Sequence, residues 1–218
     1  VNRPILSGDL PITGWSHAAG SVFVADLSSG PNAGRFPLGV NQLFRNDTRL
    51  PCGRWPNIAD GYAFVDSAPA GNRVTDADLP AAEWDGAMLR IKTQRWLLVN
   101  REVIGSSGAT LSLNDTLSCR GGTCAGWGYF LQNHRAALDV DGEWSYDAAS
   151  NRVYLVSESG PPVDVTGSVV LDDDPIHHGA VMIRADAEHD VIDNLAISKW
   201  WANGIGAQGS MGGDAYHH

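Results

Sequence analysis

The stretch GAVMIRADAEHDVIDNLAISKWWANGIGAQG, residues 179–209, decides the fold prediction for this chain. Three short runs of β-type residues lie within it, at 180–184, 191–198 and 204–208, and charged or small residues separate them. Short strands at this spacing, joined by tight non-helical turns, predict one coil of a right-handed parallel β-helix. A single coil cannot bury its own inner face, and a solenoid needs about three repeats for stability. We therefore expect further coils or another cover over this end, and self-association or docking through it if the end is exposed.

The rest of the chain is typical of a turn-rich β protein. Its 218 residues include 25 glycines and 11 prolines, and no window keeps a 3.6-residue apolar period. The clearest hairpin is GEWSYDAASNRVYLV at 142–156, in which two aromatic-rich arms flank a polar turn. Further strands are predicted at 87–92, 95–104, 110–113, 127–132 and 163–171.

These patterns predict an all-β chain in three segments. Early β-helix strands occupy 1–35, an inserted antiparallel β-barrel or sandwich occupies 36–171, and a β-helix coil at 172–218 is truncated at its C-terminal end. No apolar run approaches the length of a membrane span.

The charge of the chain limits its partners. The formal net charge is −10, and binding to nucleic acid or to an anionic membrane needs clustered Lys and Arg. The charge fits a neutral polysaccharide, or an anionic one held through a divalent cation. Asp172, Asp173 and Asp174 offer hard oxygen ligands, so calcium is a weak candidate there, although a solvated turn is the plainer reading of this triplet.

Two cysteines are spaced for a small disulfide loop. Cys119 and Cys124 flank a Gly-Gly turn in SCRGGTC, and such a spacing can close a loop. A disulfide implies an oxidising compartment, which predicts a secreted or periplasmic protein. The chain opens without a signal peptide, so we expect a mature or excised piece.

Several segments together resemble the N-terminal part of right-handed parallel β-helix proteins of carbohydrate metabolism, in which a small β-domain is inserted between early coils. In chain order the segments are PILSGDLPITGW, NQLFRNDTRLPCGRWPN, EWDGAMLRIKTQRWLLVNREV, WGYFLQNHRAALDVDGEWSYDAASNRVYLV and the coil after Gly179. That family contains glycoside hydrolases, polysaccharide lyases and non-catalytic polysaccharide-binding modules, so the resemblance implies a saccharide partner more strongly than a reaction.

The resemblance implies the N-terminal fragment of a secreted polysaccharide-degrading enzyme, a glycoside hydrolase rather than a lyase, without a complete active site. A non-catalytic carbohydrate-binding module is one alternative, and a structural β-helix piece of an adhesin or phage tail spike is another. In such proteins the catalytic groups usually project from coils later than those present here.

Catalytic residues are not selected by the sequence. Glycoside hydrolysis usually needs two carboxyl groups facing one bond, and lyase chemistry needs a base with a group that neutralises a uronate. The carboxyl pairs are Glu83 with Asp85, Asp186 with Glu188, and Asp190 with Asp193; the bases are His134, His177 and His178; the neutralising groups are Arg135 and Lys199.

Aromatic residues are the candidates for stacking on a sugar. Trp200 and Trp201 are adjacent, so in an extended chain they point to opposite faces and cannot both enter one core. Trp127 and Tyr129 share one face of their predicted strand beside two glycines, which suggests a second platform. Most of the eight tryptophans are better explained by core packing.

Overall fold

The computed structural model describes residues 3–171, 179–184, 187–189 and 191–207. The all-β prediction is confirmed, since the regular elements of these residues are strands and three short 3-10 turns at Gly30–Asn32, Ile58–Asp60 and Arg135–Ala137. The chain divides into two compact units. Unit 1 comprises the described residues of Val1–Gly14, Asp26–Arg49 and Val163–His218, and unit 2 comprises Trp15–Ala25 and Leu50–Pro162.

Within the described ranges twenty strands, numbered in chain order, build the two units. They are β1 (Ile5–Ser7), β2 (Asp9–Pro11), β3 (Ser16–Ala19), β4 (Val22–Asp26), β5 (Val40–Arg45), β6 (Thr48–Arg49), β7 (Arg54–Trp55), β8 (Ala63–Phe64), β9 (Ser67–Ala70), β10 (Arg73–Thr75), β11 (Met88–Gln94), β12 (Leu97–Ser107), β13 (Thr110–Leu113), β14 (Gly128–Gln132), β15 (Trp144–Asp147), β16 (Arg152–Val156), β17 (Val165–Val169), β18 (Gly179–Ile183), β19 (Ala196–Ser198) and β20 (Asn203–Ala207).

Unit 2 is organised around an eight-stranded antiparallel sheet in the order β7-β14-β11-β12-β13-β10-β9, with β8 also paired to β14. The period-2 alternation of β11 decides which side chains enter the core. Leu89 and Ile91 are fully buried, whereas Arg90 and Lys92 between and beyond them are half-buried on the other face. Apolar residues of five further strands and of the loops between them complete one core, including Val103, Leu111 and Leu131.

A second sheet of unit 2, in the order β15-β16-β4-β3, contains the predicted hairpin. Val153 and Leu155 on β16 are fully buried, and Trp144 on β15 is 4% exposed. The Trp144 indole N–H donates to the carbonyl of Leu50 at 3.3 Å, which satisfies its polar atom inside the core. This sheet holds the turn before residue 144 and the turn at 148–151 in fixed positions.

Unit 1 has a four-stranded antiparallel sheet in the order β2-β17-β5-β6. Gly167 on β17 has no room for a side chain, because an added Cβ would lie 2.8 Å from both Ile12 Cδ1 and Val40 Cγ1. Lys199 joins the segments of this unit, since its ammonium pairs with Asp9 at 3.0 Å and with Asp47.

The predicted parallel β-helix is not confirmed. Most strand pairs among the described residues are antiparallel, and the parallel pairings between strands are β1 with β19 and β18 with β20. Hairpin connections of a few residues, as between β15 and β16, impose antiparallel pairing. Strands β5, β6 and β17, which fall within the predicted inserted segment 36–171, belong to unit 1.

The described residues include no apolar helix of the length that a bilayer crossing requires. Residues 208–218, on which the expectation of self-association at the C-terminal end depends, lie outside the described part of the chain. Cys119 and Cys124 form a disulfide with a Cα–Cα distance of 5.2 Å.

Candidate functional site

The end of β14 is fixed to the β15–β16 hairpin by one side chain. Asn133 has a positive φ of 58°, a conformation that asparagine tolerates better than most residues. Its amide nitrogen donates to the Tyr146 carbonyl at 3.0 Å, and its amide oxygen accepts from the Tyr146 N–H at 2.7 Å. This two-bond clamp sets the direction in which the chain leaves β14, and so it positions the two residues that follow.

His134 is the first of those residues, and its ring has a structural task. Its Nδ1 accepts from the Ala136 N–H at 3.1 Å, which caps the 3-10 turn Arg135–Ala137. The ring packs against Trp84 with centroids 5.6 Å apart. Burial lowers the pKa of His134, the Arg135 charge lowers it further, and a hydrogen bond to the Asp85 backbone opposes both. One ring nitrogen thus accepts from the Ala136 N–H and the other is hydrogen-bonded to the Asp85 backbone, so both are engaged in holding the turn, which argues against the predicted role as a lyase base.

Arg135 is exposed and lies over an aromatic ring. Its Cζ is 5.3 Å from the centroid of the Tyr154 ring, within the range of a cation–π contact. Tyr154 is 8% exposed, so the ring is fixed by the sheet while the guanidinium edge faces solvent. A guanidinium has five N–H donors in one plane, and this placement presents them to a ligand.

Asp147 stands across from these groups at the end of β15. Its carboxylate accepts from the Ser150 hydroxyl at 2.6 Å and from the Ala149 N–H at 3.0 Å. The Ser150 hydroxyl is the main cause of a lowered pKa for Asp147. Burial opposes this effect, and the backbone N–H groups of Ser150 and Ala149 and the charge of Arg135 add to the lowering. Asp147 is consequently an ionised hydrogen-bond acceptor.

Two adjoining concavities surround these side chains, and we call them together the His134 cleft. Their volumes are about 330 and 590 Å³, and they share Asp85, His134 and Arg135. The polar groups of the smaller part include Glu102, Asn133, Tyr146 and Asp147, and the larger part adds Glu83, Leu138, Tyr154 and residues of β3 and β4. All of these residues belong to unit 2.

The predicted carboxyl pair Glu83 and Asp85 thus lines one concavity. Asp85 accepts from the Ser106 hydroxyl at 2.9 Å. The other two pairs cannot be placed, because Asp186 and Asp190 lie outside the described residues, as do His177 and His178. Lys199 is engaged by two carboxylates and is not presented as a neutralising group.

The four aromatic candidates do not form one platform. Tyr129 is fully buried, and its hydroxyl donates to Asp76 at 2.7 Å. Burial and that carboxylate raise its pKa. The prediction of Tyr129 as an exposed stacking ring is wrong, because Tyr129 and Leu131 lie on the face of β14 that enters the core. Trp127 is half-buried against the same core.

Trp200 and Trp201 belong to unit 1. Trp201 is 5% exposed, which leaves little ring surface for a sugar. Trp200 is half-buried, and its ring covers Gly8, where an added Cβ would lie 2.5 Å from Trp200 Cε3. The carbonyls of both tryptophans accept from the side-chain amides of Gln42 and Asn41.

No metal site is found within the described ranges, where no group of three or more His, Cys, Asp and Glu could hold an ion. The calcium candidates Asp172, Asp173 and Asp174 lie outside those ranges, so calcium binding there stays a prediction.

Comparison with known proteins gives one solved structure. No protein-family model matches the chain, and no curated protein matches it. A structure named glycoside hydrolase resembles it with a TM-score of 0.57 and 16% sequence identity, over 90% of this chain and 36% of that chain. At this identity the likeness shows the fold alone. The chain spans little more than a third of the length of that neighbour.

Proposed function

We propose that this chain is part of a carbohydrate-active protein of the glycoside hydrolase type, and that the His134 cleft binds a saccharide. The observation that carries the proposal is the fold likeness to a glycoside hydrolase over 90% of the chain. The activity of that neighbour is a property of a longer chain, so the cleft's own chemistry has to support the assignment of a binding role.

The chemistry of the cleft supports sugar recognition. Saccharide hydroxyls both donate and accept hydrogen bonds, and the cleft offers the carboxyl oxygens of Asp85 and Asp147 as acceptors and Arg135 as a multiple donor. The Tyr154 ring under Arg135 adds an apolar surface. A concave site of this size, with a few fixed polar groups on a rigid sheet, is typical of small-ligand sites.

We assign binding rather than bond cleavage to this cleft. A hydrolase needs one carboxyl group held protonated as the general acid. The lowered pKa of Asp147 is opposite to that requirement. The raised pKa of Glu143, caused by burial, belongs to a side chain 4% exposed that accepts from the Asp139 and Val140 N–H groups. The alternative to a part of a glycoside hydrolase is therefore a non-catalytic carbohydrate-binding module.

Two further proposals accompany this one. We propose that the parallel pairs β1–β19 and β18–β20 belong to coils of a right-handed β-helix, because successive coils of such a helix pair in parallel and β18 and β20 begin 24 residues apart. We also propose a secreted or periplasmic location, supported by the disulfide between Cys119 and Cys124.

Affinity electrophoresis through gels that each contain one neutral polysaccharide tests the proposed function. We expect one polymer to retard the protein, and Arg135→Gln to weaken that retardation about tenfold, since a hydrogen bond to a charged group contributes about 1.5 kcal/mol or more. Arg73→Gln, an exposed arginine on β10, is the matched control and should leave retardation unchanged.

Absence of retardation on every polymer would contradict the proposal, and so would equal effects of the two substitutions. Mass spectrometry of the incubated polymer separates the two functions. Released oligosaccharides would show hydrolysis by this chain itself, whereas retention without products supports binding alone.

A further inference from the structure

A second surface of unit 2 combines aromatic rings with cations, on the solvent side of the large sheet. Strand pairing places Phe130 opposite Arg90 and Arg54 opposite Gln132. Since directly opposed residues share a face of the sheet, Arg54 and Phe130 lie on the face away from the core. We call Arg54, Tyr62, Phe64, Lys92 and Phe130 the cationic-aromatic face.

A glycine makes the aromatic part of this face possible. Tyr62 lies over Gly128 of β14, where an added Cβ would be 3.2 Å from Tyr62 Cβ and 3.3 Å from Tyr62 Cγ. The Tyr62 ring then meets the edge of Phe130, with centroids 5.9 Å apart. Phe64 on β8 is opposite Gly128 in the ladder and is 61% exposed. The rings of Tyr62 and Phe64 are thus both near Gly128 and both exposed to solvent.

The cations are fixed against these rings. Arg54 Cζ is 4.0 Å from the Phe130 centroid, and Lys92 Nζ is 4.3 Å from the Tyr62 centroid. The Arg54 Nε–H donates to the Pro56 carbonyl at 2.8 Å, and another of its N–H groups donates to the Gly61 carbonyl. Two of its five donors therefore orient the guanidinium, and the remaining donors are left for a ligand.

The charged groups among the five residues of the cationic-aromatic face are Arg54 and Lys92, which are opposite in sign to the net charge of −10 of the chain as a whole. Among the described residues Lys92 forms no ion pair with a carboxylate. Burial lowers the pKa of Arg54, and the charges of Tyr62 and Glu143 oppose that lowering. Two carboxylates are close in sequence or in strand pairing. Asp60 ends the 3-10 turn two residues before Tyr62, and Glu102 on β12 pairs with Met88, which is two residues from Arg90 on β11. The two cations and two exposed rings thus form a local site for a ligand that has both apolar faces and negative charge.

We propose that the cationic-aromatic face binds the uronic acid residues of an acidic oligosaccharide. The apolar C–H face of a pyranose ring stacks on Phe64 and Tyr62, and the uronate carboxylates accept from Lys92 and Arg54. A nucleic acid would also stack on such rings, but binding to a polymer with a phosphate on every nucleotide depends on many cations. Because this protein is acidic overall and has two cations on this face, a short uronate ligand fits the face better than a nucleic acid does. The face shares no residue with the His134 cleft, so the two proposals can fail separately.

Calorimetric titration with hexagalacturonate at low salt tests this proposal on the intact chain. We expect saturable binding, and we expect Phe64→Ala and Lys92→Gln each to weaken it at least about fivefold. The matched controls are Ile104→Ala, which removes another exposed apolar side chain on β12, and Arg73→Gln, which removes another exposed cation on β10. Because Phe64 is mostly exposed, its replacement should leave thermal unfolding unchanged.

The methyl ester of the same oligosaccharide keeps every sugar ring and removes the charge, so we expect it to bind at least tenfold more weakly. Three results would overturn the proposal. They are no binding of hexagalacturonate, equal binding of the methyl ester, and displacement of the oligosaccharide by an oligothymidylate that binds the same face more tightly. The last result would assign the face to single-stranded nucleic acid.

Discussion

The clamp that Asn133 forms with Tyr146 can be tested by two substitutions at one position. Asn133→Gly removes both hydrogen bonds and keeps a backbone that accepts the positive φ of 58°. Asn133→Ala removes the same bonds and also adds the cost of a β-carbon in the left-handed region. The difference between the two variants therefore isolates the backbone strain from the hydrogen bonds.

The structure sets the expected magnitudes. Each hydrogen bond contributes about 1 kcal/mol net, and Tyr146, whose backbone N–H and carbonyl form the two bonds, is half-buried. We expect Asn133→Gly to lower the free energy of unfolding by about 2 kcal/mol. The left-handed backbone costs a non-glycine residue roughly 1 kcal/mol more, so Asn133→Ala should cost about 3 kcal/mol in total.

Urea unfolding followed by tryptophan fluorescence measures these differences, provided that the denaturant slope stays constant among the variants. Asn151→Gly is the matched control. Asn151, in the turn of the β15–β16 hairpin, also has a positive φ, but its side chain accepts one hydrogen bond, from the Tyr146 hydroxyl at 3.0 Å. We expect this control to lose about 1 kcal/mol or less. Equal losses for the glycine and alanine variants at position 133, or losses below that of the control, would refute the reasoning.

Three further predictions concern pH, the disulfide and close packing. The folded-state pKa of His134 is lowered, mainly by burial. Its contribution to stability is therefore complete above the unfolded pKa of about 6.5, and it is lost as pH falls from there through the lower folded-state pKa. Unfolding midpoints measured between pH 8 and pH 5 should fall less steeply in His134→Gln than in the control His17→Gln. Replacing Cys119 and Cys124 together by serine should lower the free energy of unfolding by about 2 kcal/mol, a modest loss because the closed loop is short. An unfolding midpoint of the wild-type protein that does not change with reducing agent would contradict this. Gly167→Ala should destabilise the protein by roughly 1–3 kcal/mol, since a methyl group would lie 2.8 Å from two core side chains; a thermal melt at the wild-type midpoint would show that the unit 1 core can yield.

The strands of unit 2 could be predicted from the sequence because their alternation is regular. The predicted strand 110–113 is β13, the predicted strand 127–132 contains β14, and the arms of the 142–156 hairpin are β15 and β16. Each is a short run of β-branched, aromatic or other apolar residues next to polar turn residues, which is a local signal. The pairing of β14 with β7 and β8 is not local, and nothing in the residues of β14 indicates it.

That missing information explains the error at Tyr129. Tyr129 and Phe130 are adjacent aromatic residues, so either phase of the alternation could face the core, and the prediction chose the wrong one. The hydrogen-bond partner of the buried Tyr129 hydroxyl is Asp76, which is 53 residues away, so a local pattern does not reveal it.

The His134 cleft could be found only in part. Its shared residues Asp85, His134 and Arg135 come from two loops about 50 residues apart, and the spacing of the sequence gives no reason to join them. The sequence does contain one signal for the cleft, the segment Gln-Asn-His-Arg at 132–135, which begins with the last residue of β14. An asparagine at a strand end often marks a left-handed turn.

Mapping of amide chemical shifts in the ¹⁵N-labelled chain, titrated with oligosaccharides of the polymer that retards it, tests the proposed saccharide site most directly. The account predicts perturbations concentrated at 85–86, 133–136 and 145–149, around the His134 cleft, with little change elsewhere in unit 2. Perturbations that avoid these segments, or none at any saccharide concentration, would contradict the assignment of saccharide binding to this cleft.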